Sequence, residues 1–185
     1  MKSSHRAIVL LTALTLMLAS PGVASAKPTS TYTLAYSQSN GVYSSSSRLT
    51  LDETGAGVLH FNETDFELIT CADNGVGSVS STYSVNGPVA TIEFEVDRKL
   101  SAFYWRGSGE VTRNVTTYCP VTGLVSEAVT EQGIFEAVGA SSSRLVRSRI
   151  DGARLLTSVL DSLTVETPTS SFNGAGTLTE TISQG

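Results

Sequence analysis

Apolar and polar side chains alternate along much of this chain of 185 residues, and no other feature restricts its fold as strongly. The alternation is clearest from Val89 to Asp97. One set of alternate positions holds Ala90, Ile92, Phe94 and Val96, and the other holds Thr91, Glu93, Glu95 and Asp97. Because successive side chains of a strand point to opposite faces, this pattern predicts a β-strand with one buried and one solvated face.

Similar runs recur along the chain, and short turn signals separate them. These signals are Asn40-Gly41, Glu53-Thr54-Gly55, Asn74-Gly75, Asn86-Gly87-Pro88, Arg106-Gly107 and Asn173-Gly174. Asn-Gly is favoured where both turn residues adopt positive φ, as in tight hairpins. We therefore predict an all-β fold in which an antiparallel meander closes as a small barrel, with a β-sandwich as the alternative.

The segment 145–163 fits two structures. Its apolar residues fall on one side of a helical wheel, as in an amphipathic helix; they are Leu145, Val146, Ile150, Ala153, Leu156, Val159, Leu160 and Leu163. Gly152 lies in the middle, however, and glycine costs a helix interior about 1 kcal/mol. We expect strands here and keep one amphipathic helix as the alternative.

The first 26 residues have the order of a secretory signal peptide. Lys2 and Arg6 precede an uncharged apolar stretch over residues 7–19, and Ala24-Ser25-Ala26 forms a small-x-small cleavage site. The stretch is too short to span a membrane. We therefore predict a signal peptide over residues 1–26 and a single secreted β domain over residues 27–185. Its location is extracellular, or periplasmic if the host has an outer membrane.

The charge of the chain restricts its partners. The full sequence carries a formal charge of −5, and removal of Lys2 and Arg6 makes the remainder more acidic. Nucleic-acid binding needs a dense basic surface, so we expect no nucleic-acid partner. No later stretch is long and apolar enough to predict a membrane span.

Cys71 and Cys119 are the two cysteines of the chain. In an oxidising compartment two cysteines of one domain most simply form a disulfide. We therefore predict a Cys71–Cys119 bridge.

Catalytic and metal-binding signatures are sparse. His60 is the one histidine after the predicted cleavage site, and its position between Leu59 and Phe61 predicts a surface residue on a strand. Glu93 and Glu95 share a solvated face, and no sequence feature there raises the pKa of one carboxylate above that of the other. We predict no catalytic residue, metal ligand or cofactor.

The segment Phe103-Tyr104-Trp105-Arg106 is the densest aromatic run and contains the single tryptophan. Alternation places Tyr104 on one face and Trp105 on the other. An outward aromatic there could contact a glycan or a protein partner, so Tyr104 and Trp105 are candidate ligand contacts. The structural alternative is that Phe103 and Trp105 fill the core.

Basic residues cluster in one segment of this acidic chain, at Arg144, Arg147, Arg149 and Arg154. Such a stripe can bind an anionic polymer, an anionic lipid surface or an acidic partner. It can also pair with acidic strands of the same sheet.

These patterns predict a secreted, non-catalytic β-domain protein with a binding or structural role outside the cytoplasm. A secreted hydrolase with an unrecognised site is one alternative. A carrier that holds a small ligand inside the barrel is another, because barrels of about eight strands can enclose one.

Overall fold

The computed structural model describes residues 27–183, and within that range the chain forms nine β-strands and no helix. The strands are β1 (Thr29–Ser39), β2 (Tyr43–Asp52), β3 (Gly57–Thr70), β4 (Val76–Val96), β5 (Ala102–Cys119), β6 (Gly123–Ala140), β7 (Val146–Ile150), β8 (Ala153–Glu166) and β9 (Ser171–Ser183). The predicted signal peptide lies outside the described residues.

All neighbouring strands run antiparallel in one sheet, in the order β6-β5-β4-β3-β2-β1-β9-β8-β7. An additional pairing joins β6 to β8, with Glu136 opposite Glu166 and Ala140 opposite Ser162. Eight strands therefore close in a ring, and β7 is attached to β8 outside it. This confirms the predicted all-β antiparallel meander.

The core lies inside the ring and follows the alternation of the strands. Leu178, Leu34, Leu49 and Leu59 are cross-strand neighbours on β9, β1, β2 and β3, and all four are buried. Trp105 and Val111 on β5 and Leu160 on β8 are also buried inside the ring and belong to the same core. Each fully buried large apolar side chain contributes roughly 1.5–3 kcal/mol relative to exposure.

The predicted alternative of a helix near residues 145–163 is wrong. This segment forms the β7–β8 hairpin, whose turn residues Asp151 and Gly152 have φ values of 49° and 83°. The helix-like spacing of leucines has a different cause. Leu156 and Leu160 point inward along β8, and a bulge after Leu160 shifts the register so that Leu163 also points inward. Gly152 therefore supplies the positive φ that the hairpin turn requires.

The strand predicted from Val89 to Asp97 exists, but two of its four residues that were predicted to point inward are exposed. A β-bulge between Thr91 and Glu93 changes which positions point inward. Val89 is buried before the bulge, and Phe94 packs against the core after it, whereas Ala90 and Ile92 are exposed. The extra residue of the bulge thus reverses the alternation.

Three predicted turns are also wrong, because Asn86-Gly87-Pro88, Arg106-Gly107 and Asn173-Gly174 lie inside β4, β5 and β9. Two of these glycines leave room for an aromatic ring. A Cβ at Gly107 would lie 2.3 Å from the Trp105 ring, and one at Gly174 would lie 2.7 Å from the Phe172 ring. Pro88 coincides with a break in the β4–β5 ladder between Ser84 and Ala90, so no partner on β5 lacks its missing N–H.

The far ends of β3 to β6 project beyond the ring, and we call residues 66–80 and 116–126 the extension. β2 pairs with β3 only as far as Asp65, and β8 pairs with β6 only from Glu136 onward. The extension carries several exposed apolar side chains: Phe66, Leu68, Val76, Tyr118, Val121, Leu124 and Val125. It is therefore a sheet without a second packed layer.

Candidate anion-binding face

The β7–β8 hairpin projects three arginines from one of its faces. Arg149 lies directly opposite Arg154, and Arg147 lies two residues from Arg149 on the same strand. Alternate residues of a strand share a face and lie about 6.5–7 Å apart. We call Arg147, Arg149 and Arg154 the arginine face.

β7 is an edge strand, because it pairs only with β8 in the sheet. All five of its residues are exposed. The arginine face therefore lies along an open sheet edge. Arg144 is also exposed, in the connection that leads into β7.

Within residues 27–183 no carboxylate oxygen lies within 4 Å of the guanidinium nitrogens of these arginines. The single ion pair of that range joins Arg106 Nε to Glu136 Oε2 at 3.9 Å, elsewhere in the sheet. Like charges directly opposite each other on a sheet are unfavourable, so the Arg149–Arg154 pair is unfavourable without a counter-charge. The alternative in which the stripe pairs with acidic strands gains no support from these contacts.

Two acidic side chains on the neighbouring strands β8 and β9 are engaged by hydroxyl groups. Glu180, opposite Leu156 on β9, accepts hydrogen bonds from Ser30 Oγ at 2.8 Å and Tyr32 Oη at 3.4 Å. Asp161 Oδ2 accepts from the Ser142 backbone N–H at 2.8 Å and from Ser142 Oγ at 2.7 Å. These bonds from Ser142, with those from Ser143, lower the pKa of Asp161. Asp161 thus anchors the connection that carries Arg144.

Two open depressions follow the basic segment. One, of about 590 Å³, is lined by Arg147, Ser148, Arg149 and Arg154. The other, of about 500 Å³, is lined by Arg144, Leu145, Val146 and Arg147. Arg147 lines both depressions, which makes the four predicted arginines one continuous basic surface.

The two aromatic candidates lie on opposite sides of the ring wall. Trp105 is 2% exposed, and its Nε1 donates to Thr91 Oγ1 at 2.9 Å. Tyr104 lies on the outer face, opposite Glu95 on β4 and Val138 on β6. Partial desolvation and the charges of Glu136 and Glu93 raise the pKa of Tyr104. Burial leaves Trp105 no surface for a ligand, whereas Tyr104 remains accessible.

The residues considered for catalysis are not brought together. His60 is exposed on β3, and its Nδ1 lies 2.5 Å from Asn86 Oδ1. Glu93 and Glu95 are exposed on β4, opposite Arg106 and Tyr104. Over the described range no three His, Cys, Asp or Glu side chains cluster as a metal site.

The predicted Cys71–Cys119 disulfide is confirmed. It joins the residue after β3 to the last residue of β5, with the two Cα atoms 6.0 Å apart. A Cβ at Gly77 would lie 2.5 Å from Cys71 Sγ, so this position of β4 must be glycine for the bridge to pass. The bridge closes the tip of the extension.

The interior of the ring is filled. The cavity lined by Leu34, Leu59, Phe61, Trp105 and Phe135 offers about 10 Å³. A cavity of that size holds at most one water molecule. The carrier alternative therefore lacks a binding volume there.

Sequence reasoning missed a buried carboxylate. Glu63 is 3% exposed and accepts hydrogen bonds from Tyr43 Oη at 3.3 Å, from Thr169 Oγ1 at 3.2 Å and from Ser170 Oγ. These bonds tie the β8–β9 turn to β3. The sequence did contain a signal: Glu63 shares the alternate positions of Leu59 and Phe61, which are buried, and so points inward with them.

Comparisons with protein-family models, curated proteins and solved structures find no match to this chain. Between Lys27 and Ser183 there is no helix with the length and apolarity needed to cross a membrane.

Proposed function

We propose that this protein is a secreted, non-catalytic binding module whose arginine face holds an anionic polymer. The observation that carries the proposal is the set of three same-face arginines on an open strand edge, none with a carboxylate partner in the described part of the chain. Proteins that depart from a local rule, here by placing like charges opposite each other, do so mainly at functional sites.

The geometry favours a polymer over a small ligand. Both depressions are open to solvent, so a small ion would remain hydrated there. A chain with repeated anionic groups can contact Arg147 and Arg149 in succession, since the two residues lie about 6.5–7 Å apart along the edge. The guanidinium group binds carboxylate, phosphate and sulfate groups in a bidentate manner.

The disulfide supports action outside the cytoplasm, because such bonds persist in oxidising compartments. The signal peptide predicted over residues 1–26 supports secretion on independent grounds. No observation favours the hydrolase alternative.

Chromatography on immobilised dextran sulfate at low salt tests this function. The wild-type protein should be retained, and salt should release it because screening weakens exposed charge pairs. The double variant Arg147→Glu/Arg149→Glu should pass through. Its free energy of unfolding should not fall, because no described contact depends on either side chain and Arg149→Glu places opposite charges across the pair with Arg154.

Arg98→Glu/Lys99→Glu is the matched control, since it makes the same change of charge at two exposed basic residues outside the hairpin. It should be retained like the wild type. Equal loss of retention in both double variants would show that net charge governs binding and would contradict the proposal. Retention of the hairpin variant would contradict it as well.

A further inference from the structure

A second basic group lies on the outer face of the ring, apart from the arginine face. A groove of about 640 Å³ runs across β8, β9, β1, β2 and β3. Small residues at outward positions form its floor: Ala35, Ser37, Ser46, Ala175 and Thr177. Longer side chains border it, with Val159 on β8 at one side and Arg48 and His60 at the other. The groove therefore has a shallow polar floor and a cationic wall.

Arg48 has no acidic neighbour in this groove. Its direct cross-strand neighbours are Ala35 on β1 and His60 on β3. None of the lining residues is Asp or Glu, and the one ion pair within residues 27–183 does not involve Arg48. Its guanidinium is consequently available to an external anion.

His60 is held in a fixed orientation beside Arg48. The contact of 2.5 Å between His60 Nδ1 and Asn86 Oδ1 fixes the ring from the β4 side. With Nδ1 bonded to Asn86, Nε2 is the ring nitrogen that remains for a ligand. Arg48 and His60 thus present two polar groups on neighbouring strands.

We infer that this groove binds a carboxylated sugar unit of a polysaccharide. A carboxylate satisfies the Arg48 guanidinium with two parallel hydrogen bonds. The hydroxyls of Ser37, Ser46 and Thr177 match the hydroxyl groups of a sugar, and Ala35 and Val159 offer apolar surface to its C–H face. The open ends of the groove suit one unit of a longer chain. This site goes beyond the proposed function and does not depend on the arginine face.

Calorimetric titration with trigalacturonic acid tests the inference, with neutral galactotriose as the comparison ligand. Binding of the acidic trimer and at least tenfold weaker binding of the neutral one are expected. Arg48→Gln should weaken binding of the acid at least tenfold. Ser46→Tyr should also abolish binding, because it fills the floor without changing the charge.

Two controls separate this site from the other basic surfaces. Arg113→Gln and Arg147→Glu/Arg149→Glu should both bind the trimer as the wild type does, and Arg48→Gln should still be retained on dextran sulfate. The inference is overturned if folded wild-type protein binds no trimer, if galactotriose binds equally well, or if the hairpin variant alone loses the trimer.

Discussion

The strands β3 to β6 run through both the ring and the extension, but different forces stabilise the two regions. Within the ring, inward side chains of β3 to β6 meet those of β1, β2, β8 and β9, as where Tyr32 of β1 packs on Phe94 of β4 with ring centroids 5.6 Å apart. In the extension, the strands have no opposing layer, and Leu68 is 66% exposed. A hydrogen-bonded ladder and the Cys71–Cys119 bridge hold it instead.

This contrast shows that the alternation of a strand does not by itself create a core. Val76 and Leu124 are as apolar as residues of the ring, yet they remain exposed because the ring ends before them. Regions with few buried apolar contacts open at lower free energy than the core. The extension should therefore open before the ring does.

Replacement of Trp105 by Ala should have the largest effect on stability. Truncation of a buried aromatic residue costs about 3–5 kcal/mol, and here the hydrogen bond to Thr91 is lost too. Urea unfolding monitored by circular dichroism measures the change. Tyr104→Ala is the matched control on the outer face and should cost far less. Equal losses for the two variants would refute the division between core and surface.

Removal of the disulfide should come next in size. For the sequence separation of 48 residues, the chain-entropy estimate is about 4 kcal/mol, and typical values are about 2–4 kcal/mol. In the Cys71→Ser/Cys119→Ser variant, backbone amides of the extension should exchange with deuterium much faster. Amides of β1, β2 and β9 should keep their relative protection. If all strands lost protection together, the ring and the extension would be one cooperative unit.

Alkaline pH should weaken the ring through Tyr36. Burial against Phe172, with ring centroids 4.2 Å apart, raises the pKa of Tyr36 to about 12. An unfolded tyrosine ionises near pH 10, so the stability that the neutral phenol provides is complete below pH 10. That stability is lost as the pH rises toward 12, by roughly 2–3 kcal/mol.

The Tyr36→Phe variant tests this pH dependence by urea unfolding at pH 9 and pH 11.5. Its loss of stability between the two pH values should be smaller than that of the wild type. A Tyr43→Phe variant is the control, since Tyr43 is only partly buried. Identical pH dependence in wild type and Tyr36→Phe would refute this role of the buried phenol.

The smallest effect is expected for Leu68→Ala in the extension. An exposed side chain away from special contacts usually changes stability by less than about 0.5 kcal/mol. Leu49→Ala, in the ring, should cost about 2–5 kcal/mol. This matched pair of leucines measures the contrast between the two regions by thermal or urea unfolding. A cost above 2 kcal/mol for Leu68→Ala would mean that the extension is packed against a second layer.

The alternation in the sequence was sufficient to predict the all-β meander, and the cysteine count was sufficient to predict the bridge. The alternation could not locate the bulges, because an extra residue at Ile92 or after Leu160 is recognised only when the partner strand is known. Gly107 and Gly174 were misread as turns for a related reason. Each leaves space for an aromatic ring two residues before it on the same strand.

The candidate site was predictable in part. The basic residues Arg144, Arg147, Arg149 and Arg154 stand out in an acidic sequence. Whether acidic strands would pair with them depended on the sheet order, which places β7 at an open edge. The groove beside Arg48 was not predictable, because its residues come from β1–β3 and from β8–β9, two groups of strands that are far apart in the sequence.

Hydrogen exchange of the backbone amides, measured with and without dextran sulfate, tests the binding account most directly. Without the polymer, the ring should exchange slowly, and both the extension and β7 should exchange quickly. With the polymer, new protection should appear between Arg144 and Leu156 and leave the extension unchanged. Protection confined to other residues, or no added protection in a sample that still binds the polymer, would contradict the assignment of the arginine face as the binding surface.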